Sequence, residues 1–426
     1  MRELDRVIGY ECIKNELYRI IDIIQNPAKY KALGVKIPRG ILFNGVPGIG
    51  KTLMAQSFVK ECGRRSFVIR KDRPDGEFVD YLRETFSQAA EEAPSVILLD
   101  DMDKFANEDQ MHCDAEEYVT VQACIDEYKD SDIFVVATCN DMRSLPRSLV
   151  RRGRFDKTFS MTFPKNEDAK KIIAFYLKDK AVYDDIDVDE IVRFCEGRSC
   201  ADLETVVNEA GILAGYENKD LICQEDFRRA CLRVFWGIKR DPANNECPAE
   251  SIRRKAVHEA GHALMIEYFN PGEVSFITIE RAFDAMVLRK KDEHRFESFR
   301  NHEIEIMIDL AGKAATEIVL GEVDMGTNSD LHEAYRNTAE LLDNVAAYDF
   351  QSWCHGEETS QRVFDHLDDV KGAEMARYYL NTKQILMQNR AFLDALTEQV
   401  IEKRTLIYKD IAPIRAKYLP DRKRAA

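Results

Sequence analysis

The chain lacks the features that mark several large classes of protein. Its 426 residues carry a net charge of −15, and no segment concentrates the lysine and arginine that nucleic-acid phosphates require, so we expect no nucleic-acid partner. No apolar run approaches the roughly 18 residues of a membrane helix, and no signal peptide opens the chain. These absences predict a soluble cytoplasmic protein, or one at the cytoplasmic face of a membrane if a transmembrane segment has been removed upstream.

Paired cysteines are also missing. Eleven cysteines are scattered along the chain without a CxxC pair, which suits reduced thiols better than a disulfide framework or a cysteine-ligated zinc site. There is no internal repeat and no low-complexity tract. With 45% hydrophobic and 32% charged residues, the composition allows buried cores, and the length predicts two or three domains.

The pattern of apolar residues changes along the chain. In residues 1–163, short apolar runs alternate with helical spacing, and this alternation predicts a parallel α/β sheet. In residues 164–238 the strands vanish and a small helical domain is expected, with Ser199 as the cap of its best helix. Residues 239–248 have the composition of a linker, and residues 249–426 predict a mainly helical domain with a strand-like run at 274–279.

A glycine-rich turn follows the first apolar run. Residues 45–52, Gly-Val-Pro-Gly-Ile-Gly-Lys-Thr, match the GxxxxGK[ST] P-loop between a strand and a helix. The glycines let backbone N–H groups surround phosphates, Lys51 reaches the outer phosphates and Thr52 ligates Mg²⁺. A turn that only joins a strand to a helix is the plainer interpretation, but the strand and helix context favours a site for ATP and Mg²⁺.

Polar residues follow two later strand-like runs. Asp100 and Asp101 come directly after the run 95–99, and we expect Asp100 to hold Mg²⁺ and Asp101 to polarise the attacking water. As an alternative, both acids simply cap the strand in solvent. Asn140 follows the strand at 133–137, where its amide would orient the same water or sense the γ-phosphate.

A basic cluster lies further along, at Arg151, Arg152 and Arg154. A positive side chain that reaches the γ-phosphate of a neighbouring subunit stabilises the charge of phosphoryl transfer. A basic cluster is equally often a solvated surface, but its place after the other motifs favours an arginine finger.

A second constellation occurs in the C-terminal half. His258, Glu259 and His262 form an HExxH motif within a helical pattern. Histidines four residues apart share one helix face and can bind one zinc ion, while the glutamate acts as general base. A third ligand must come from elsewhere, and Asp330 is the best candidate, with Glu317 and His332 as weaker ones. A purely structural role for the motif is the alternative.

The order of these motifs resembles the FtsH-type AAA+ zinc metalloproteases over nearly the whole chain, from residues 7–10 through 208–210 to 401–406. The resemblance implies an AAA+ large α/β domain at 1–163, a helical lid at 164–238 and a helical zinc-peptidase domain at 249–426. It makes Asp100 the Walker B acid, Asn140 sensor 1, and Arg151 and Arg154 two arginine fingers.

The resemblance also assigns ligands. In the peptidase domain it implies that His258, His262 and Asp330 hold zinc, with Glu259 as base and Glu317 as a hydrogen-bond partner of a histidine. In the ATPase domain the expected nucleotide-binding residues come from the N-terminal approach, the P-loop, the Walker B strand and the sensor 2 turn. They are Ile8, Gly9, Gly45, Pro47, Gly48, Ile49, Gly50, Lys51, Thr52, Leu53, Asp100 and Ala201.

Three features depart from the family pattern. Asp101 stands where the family has glutamate, which withdraws the carboxylate by about 1.5 Å and puts the hydrolysis rate in question. Residues 74–76, Pro-Asp-Gly, align with the pore loop, so its gripping aromatic is missing. The transmembrane helices that usually precede the ATPase are absent from the sequence.

Two aromatic residues lie near the altered pore segment. Phe78 and Tyr81 share one face of a predicted helix, and one interpretation packs both against the ATPase core. The other has Phe78 replace the missing grip, with Arg70, Lys71 and Arg73 forming a positive rim that favours acidic substrates.

Together these features predict an ATP-dependent zinc endopeptidase that unfolds and degrades protein substrates. The expected substrates are unfolded or tagged proteins. The expected assembly is a homo-oligomer, a hexameric ring that hydrolyses ATP between its subunits. One alternative is an AAA+ remodelling ATPase whose peptidase domain is weak or structural. Another is a nucleotide-gated binding module that barely hydrolyses ATP.

Overall fold

The computed structural model describes residues 2–106, 115–151, 153–237, 248–279, 285–290, 298–323, 327–343 and 361–419. Contacts group the chain into two compact units, Met1–Ala230 and Cys231–Ala426. The predicted linker at 239–248 lies outside the described residues except for Pro248, so the division into large domain, lid, linker and peptidase domain stays a prediction.

A five-stranded parallel sheet forms the centre of the first unit. Its order is β2-β3-β4-β1-β5. The strands are β1 (Gly40–Asn44), β2 (Arg65–Ile69), β3 (Ser95–Leu99), β4 (Ile133–Cys139) and β5 (Lys157–Ser160). All residues of β3 are buried, as expected for a strand covered on both faces. The α/β prediction is confirmed, although β5 was missed because its Lys-Thr-Phe-Ser sequence contains only one apolar residue.

Helices cover both faces of this sheet. They are α1 (Glu11–Gln25), α3 (Lys51–Cys62), α4 (Asp75–Glu91) and α5 (Glu116–Glu127), while the short α2 (Pro27–Ala32) has no buried residue. Because successive strand residues point to opposite faces, Ile41 and Phe43 of β1 join a core with α1 and α3, whereas Leu42 joins a core with α4 and α5. The polar motif residues directly follow the carboxyl ends of β1, β3 and β4, between these two cores.

The remainder of the first unit is helical, as expected. It contains α6 (Asn166–Leu177), α7 (Val188–Phe194), α8 (Cys200–Tyr216) and most of α9 (Gln224–Trp236). The predicted cap of α8 is confirmed: the Ser199 side chain accepts from the backbone N–H of Asp202, whose carboxylate accepts from the N–H of Ser199. Such a reciprocal pair satisfies two backbone donors that the first helical turn leaves without partners.

The second unit is mainly helical but also contains a small antiparallel sheet. Its helices are α10 (Ala249–Phe269), α11 (Phe299–Asp309), α12 (Ala311–Leu320), α13 (Asn328–Asp343), α14 (Gln361–Gln388), α15 (Arg390–Lys403) and α16 (Tyr408–Tyr418). Its strands are β6 (Val274–Thr278), β7 (Met286–Arg289) and β8 (Thr405–Ile407). The sequence did not predict β8, since three residues are too few for periodicity to reveal a strand.

Helix α10 is the buried centre of this unit. Its one glycine, Gly261, lies against α12: a β-carbon there would lie 2.6 Å from the β-carbon of Ala315. Small residues on both helices therefore allow an unusually close approach. No helix among the described residues combines the length and apolarity needed to cross a membrane.

Candidate functional site

The P-loop connects β1 to α3 through left-handed glycines. Gly48 has a φ of 79° and Gly50 a φ of 92°, a region that residues with a β-carbon rarely adopt. Gly45 is also restricted, because a β-carbon there would lie 2.6 Å from Ile49 Cδ1. These glycines turn the loop onto the N-terminus of α3, the arrangement that favours phosphate binding.

The P-loop lysine contacts the loop that surrounds it. Lys51 Nζ donates to the carbonyls of Gly45 and Val46 at 2.7 and 2.9 Å, and to Asn140 Oδ1 at 2.8 Å. Burial lowers the pKa of the Lys51 ammonium, an effect opposed by the nearby carboxylates of Asp101 and Asp103. The predicted sensor residue Asn140 is therefore brought directly to the P-loop.

The carboxylate of Asp100 is the most heavily hydrogen-bonded group in this region. Its Oδ1 accepts from the hydroxyls of Thr52 at 2.9 Å and Thr138 at 2.8 Å. Its Oδ2 accepts from Arg70 Nε at 2.9 Å and from a terminal nitrogen of the same guanidinium at 2.7 Å. The structure thus unites the predicted Mg²⁺ residues Thr52 and Asp100, and adds Arg70, which the sequence had suggested only as part of a pore rim.

Two further acids follow Asp100. Asp101 adopts a left-handed conformation with a φ of 56°, and its carboxylate accepts from Lys104 Nζ at 2.7 Å. Asp103 was not singled out from the sequence, yet its Oδ2 accepts from Asn140 Nδ2 at 2.9 Å. Its buried Oδ1 has no hydrogen-bond partner among the described residues. Its position three residues after Asp100 was the feature of the sequence that could have identified it as a site residue.

The predicted arginine fingers differ in their surroundings. Arg151 is exposed, whereas the side chain of Arg154 is buried and pairs with Asp126 at 2.6 Å, Gln122 at 2.8 Å and the carbonyl of Ser148. Arg152 lies outside the described residues. Of the two described arginines, Arg151 is thus available to a neighbouring molecule, while Arg154 makes contacts within its own unit.

The remaining predicted nucleotide-binding residues border the loop. The N–H of Ala201 donates to the carbonyl of Gly48 at 3.0 Å, which ties α8 to the P-loop. Gly9 has a φ of 82°, and a β-carbon there would lie 2.8 Å from the Asp168 carboxylate.

Four further side chains from this set differ in burial. Ile8 is half-buried, Ile49 is buried, and Pro47 and Leu53 are exposed.

The structure overturns the hypothesis that Phe78 grips substrate. Its side chain is 0% exposed and makes an edge contact with Phe105, with ring centroids 5.0 Å apart. The positive rim is wrong as well: Arg70 binds Asp100, and Lys71 binds Glu117 at 3.0 Å. Helical spacing alone could not separate a core face from a pore face, and the packing interpretation of Phe78 is correct.

In the second unit, three side chains converge on one point. Ligand atoms of His258, His262 and Asp330 lie within 4.8 Å of one another. Asp330 Oδ2 lies 3.0 Å from His258 Nε2 and 3.3 Å from His262 Nε2, without a well-oriented hydrogen-bond partner among the described residues. The structure therefore brings together α10 and α13 at the residues that the sequence suggested.

Neighbouring groups hold the two histidines in place. The Nδ1 atom of His262 lies 2.8 Å from the carbonyl of Ile308, a pairing that leaves Nε2 directed to Asp330. Burial alone would lower the pKa of His262, but Asp330 and Glu259 outweigh it and raise that pKa to about 9. Burial likewise opposes ionisation of Asp330, yet the two histidines hold its pKa below the usual range.

The two other predicted carboxylates have separate surroundings. Glu259 is buried beside His258 on α10, where its charge acts on His262. Glu317 instead accepts from Tyr379 and from Lys383 Nζ at 2.7 Å. The expected bond from Glu317 to a histidine is therefore wrong, because the side chain points to α14. His332, the other weaker candidate, is exposed and outside the triad.

The donor set fits a zinc ion. Two imidazole nitrogens and one carboxylate oxygen are typical of catalytic zinc, which keeps a fourth position for water. The carbonyl of Ile308 supplies the outer hydrogen bond that commonly orients a ligating histidine. An α/β P-loop domain and a helical domain with this triad in one chain define the class of ATP-dependent metalloproteases.

Comparisons with known proteins agree with this class. Residues 41–163 match the ATPase family associated with various cellular activities (AAA), and residues 185–229 match the AAA+ lid domain. The ATP-dependent zinc metalloprotease FtsH 2 of Thermoanaerobacter sp. (strain X514) is 30% identical over 430 residues, which cover 95% of this chain and 81% of that protein. The chain belongs to the FtsH family of ATP-dependent zinc metalloproteases.

Other relatives carry the same name and are longer. The FtsH 2 of Phytoplasma mali (strain AT) is 27% identical over 96% of this chain and 62% of its own length. The FtsH of Sulfurovum sp. (strain NBC37-1) is 33% identical over 81% of this chain and 53% of its own length. The chain thus spans less than two thirds of these two relatives. Membership in the family supports zinc and ATP, with Mg²⁺, as cofactors.

Proposed function

We propose that this chain cleaves unfolded or tagged protein substrates at the zinc triad, driven by ATP hydrolysis between the subunits of a hexameric ring. The observation that carries the proposal is the convergence of His258, His262 and Asp330 beside Glu259. A bound zinc ion would activate water and polarise the scissile carbonyl. Glu259 accepts a proton from the attacking water at its carboxylate and returns it to the departing amine.

The ATPase residues have separate tasks in this proposal. Lys51 neutralises the outer phosphates, Asp100 and Thr52 hold Mg²⁺, and Asn140 positions the terminal phosphate together with Lys51. Arg151 acts on the nucleotide of the adjacent subunit, which its exposure permits. A cytoplasmic location is supported by the buried free thiols of Cys62, Cys124 and Cys139, which suit a reducing compartment.

Two variants test the proposal by separating the activities. Glu259→Gln is expected to abolish casein degradation and cleavage of short peptides while ATP hydrolysis continues. Lys51→Ala is expected to abolish ATP hydrolysis and casein degradation while short peptides are still cleaved. If Glu259→Gln cleaves casein at the wild-type rate, Glu259 is not the general base. Peptide cleavage that disappears in both variants would contradict separate sites.

A second function, a nucleotide-gated binding module that barely hydrolyses ATP, is favoured by one specific contact. Lys104 binds Asp101 at 2.7 Å, so the shortened acid is held by a surface lysine at the position where the family has its water-polarising glutamate. ATPase assays with and without casein, each with and without a zinc chelator, distinguish the two functions. ATPase activity near zero both with and without casein would favour the binding module, whereas casein-stimulated ATPase without chelator-sensitive proteolysis would favour a remodelling ATPase.

A further inference from the structure

The chain's own donors saturate the carboxylate of Asp100. Two hydroxyls, from Thr52 and Thr138, donate to Oδ1. Two N–H groups of Arg70 donate to Oδ2. A carboxylate offers about four lone-pair positions, so a hydrated Mg²⁺ ion can reach Asp100 only if one of these donors leaves.

The three donor residues differ in their freedom to leave. Thr138 is 0% exposed, and its hydroxyl also accepts from the backbone N–H of Asp101 at 2.8 Å, which fixes it. Thr52 belongs to the P-loop and changes partner only by binding the ion itself. The Arg70 side chain is 54% exposed and directly follows β2. Among the described residues it is the one donor to Oδ2. Displacement of Arg70 is therefore the route that opens Asp100.

We propose that Arg70 competes with hydrated Mg²⁺ for Asp100 and so sets how much Mg²⁺ the nucleotide site requires. This inference rests on the proposed ATP site. The water ligands that Mg²⁺ usually retains would donate to the same carboxylate oxygen as the guanidinium. A guanidinium that stayed in place would also repel the divalent ion. Binding of Mg²⁺ with nucleotide therefore moves Arg70 away from Asp100.

The test measures binding, separately from turnover. A fluorescent ADP analogue is bound to the full chain in chelator, and the Mg²⁺ concentration at half-maximal change in anisotropy is then determined. Arg70→Ala is expected to lower this midpoint by roughly tenfold, the size of one lost charge-assisted hydrogen bond. Arg70→Lys, which keeps the charge but loses the two-pronged contact, is expected to lower it by a smaller factor.

Arg73 provides the matched control. It belongs to the same segment, but its guanidinium lies 3.7 Å from the Asp72 carboxylate and 4.0 Å from the ring centre of Tyr81. Arg73→Ala should leave the Mg²⁺ midpoint unchanged. Thermal melting of each variant shows whether it is folded, and if Arg70→Ala is not, the shift in Arg70→Lys decides the question.

The outcomes are distinct. An unchanged or higher Mg²⁺ midpoint in the folded Arg70 variants overturns the competition. Weaker binding of the ADP analogue to Arg70→Ala in chelator overturns it too, since Arg70 would then be a phosphate ligand. If the wild-type chain binds no more analogue than Lys51→Ala at any Mg²⁺ concentration, the proposed nucleotide site fails, and the competition fails with it.

Discussion

Gly312 lies directly against the imidazole of His258: a β-carbon at position 312 would lie 2.5 Å from the Nε2 atoms of both His258 and His262. Non-bonded atoms do not approach this closely, so the space around the ligating nitrogens depends on the missing side chain. Helix α12 therefore forms one wall of the metal site through a glycine, although it supplies none of the three ligands.

Replacing this glycine should disturb the metal site while leaving the ATPase intact. Gly312→Ala is expected to reduce retained zinc and peptide cleavage by roughly tenfold or more, which is the usual effect of removing a group that orients a metal ligand. Metal analysis after dialysis and a peptide assay measure both. Gly372→Ala is the control, because a β-carbon there meets nothing within 4 Å. Full zinc content in Gly312→Ala would show that α12 shifts at little cost.

The third ligand can be tested against a carboxylate with other partners. Asp330→Asn should lose zinc during dialysis far more readily than Glu317→Gln, because Asp330 faces both histidines whereas Glu317 binds Tyr379 and Lys383. The Glu317 variant should retain zinc near the wild-type amount. Equal losses in the two variants would place Glu317 among the groups that support the metal.

The two arginines of the basic cluster should separate into catalytic and structural effects. Arg151→Ala is expected to suppress ATPase activity without lowering Tm, and a mixture with Lys51→Ala chains should recover some activity in mixed rings. Arg154→Ala is expected to lower Tm by several degrees, because it leaves Asp126 and Gln122 without this partner. Mixed rings that form without any recovery would argue against a shared nucleotide site.

Asp309 makes stability depend on pH. Burial raises its pKa to about 7, although His262 and a hydrogen bond from Asn337 partly offset the shift. Since an unfolded aspartate has a pKa of about 3.9, the protonated form stabilises the fold below pH 4, and this contribution is lost as pH rises through 7.

A neutral replacement removes that loss. The Tm of Asp309→Asn minus the Tm of the wild type should therefore be a few degrees larger at pH 8 than at pH 5. Melting curves of metal-free protein at the two pH values check this. A Tm difference between the two chains that is the same at both pH values would show that Asp309 remains ionised throughout.

Local patterns accounted for most of the architecture. The P-loop, the HExxH helix, the Ser199 cap and the α/β alternation were predicted correctly because each depends on residues within one or two turns or one strand. Such features are set by backbone preference and by the period of the apolar residues. Short elements such as β5 and β8 were missed for the same reason, since their few residues carry little pattern and their partners lie far along the chain.

The sequence by itself determined which local chemistry this protein has: a P-loop, strand-end acids and a histidine pair one helical turn apart. Only the tertiary structure decided the partners of each group. Arg70 meets Asp100 because β2 and β3 are neighbours in a parallel sheet, and Phe78 is buried because α4 packs on that sheet. Glu317 turns to α14 rather than to the histidines. Contacts between distant segments depend on the path of the whole chain, which no local spacing records.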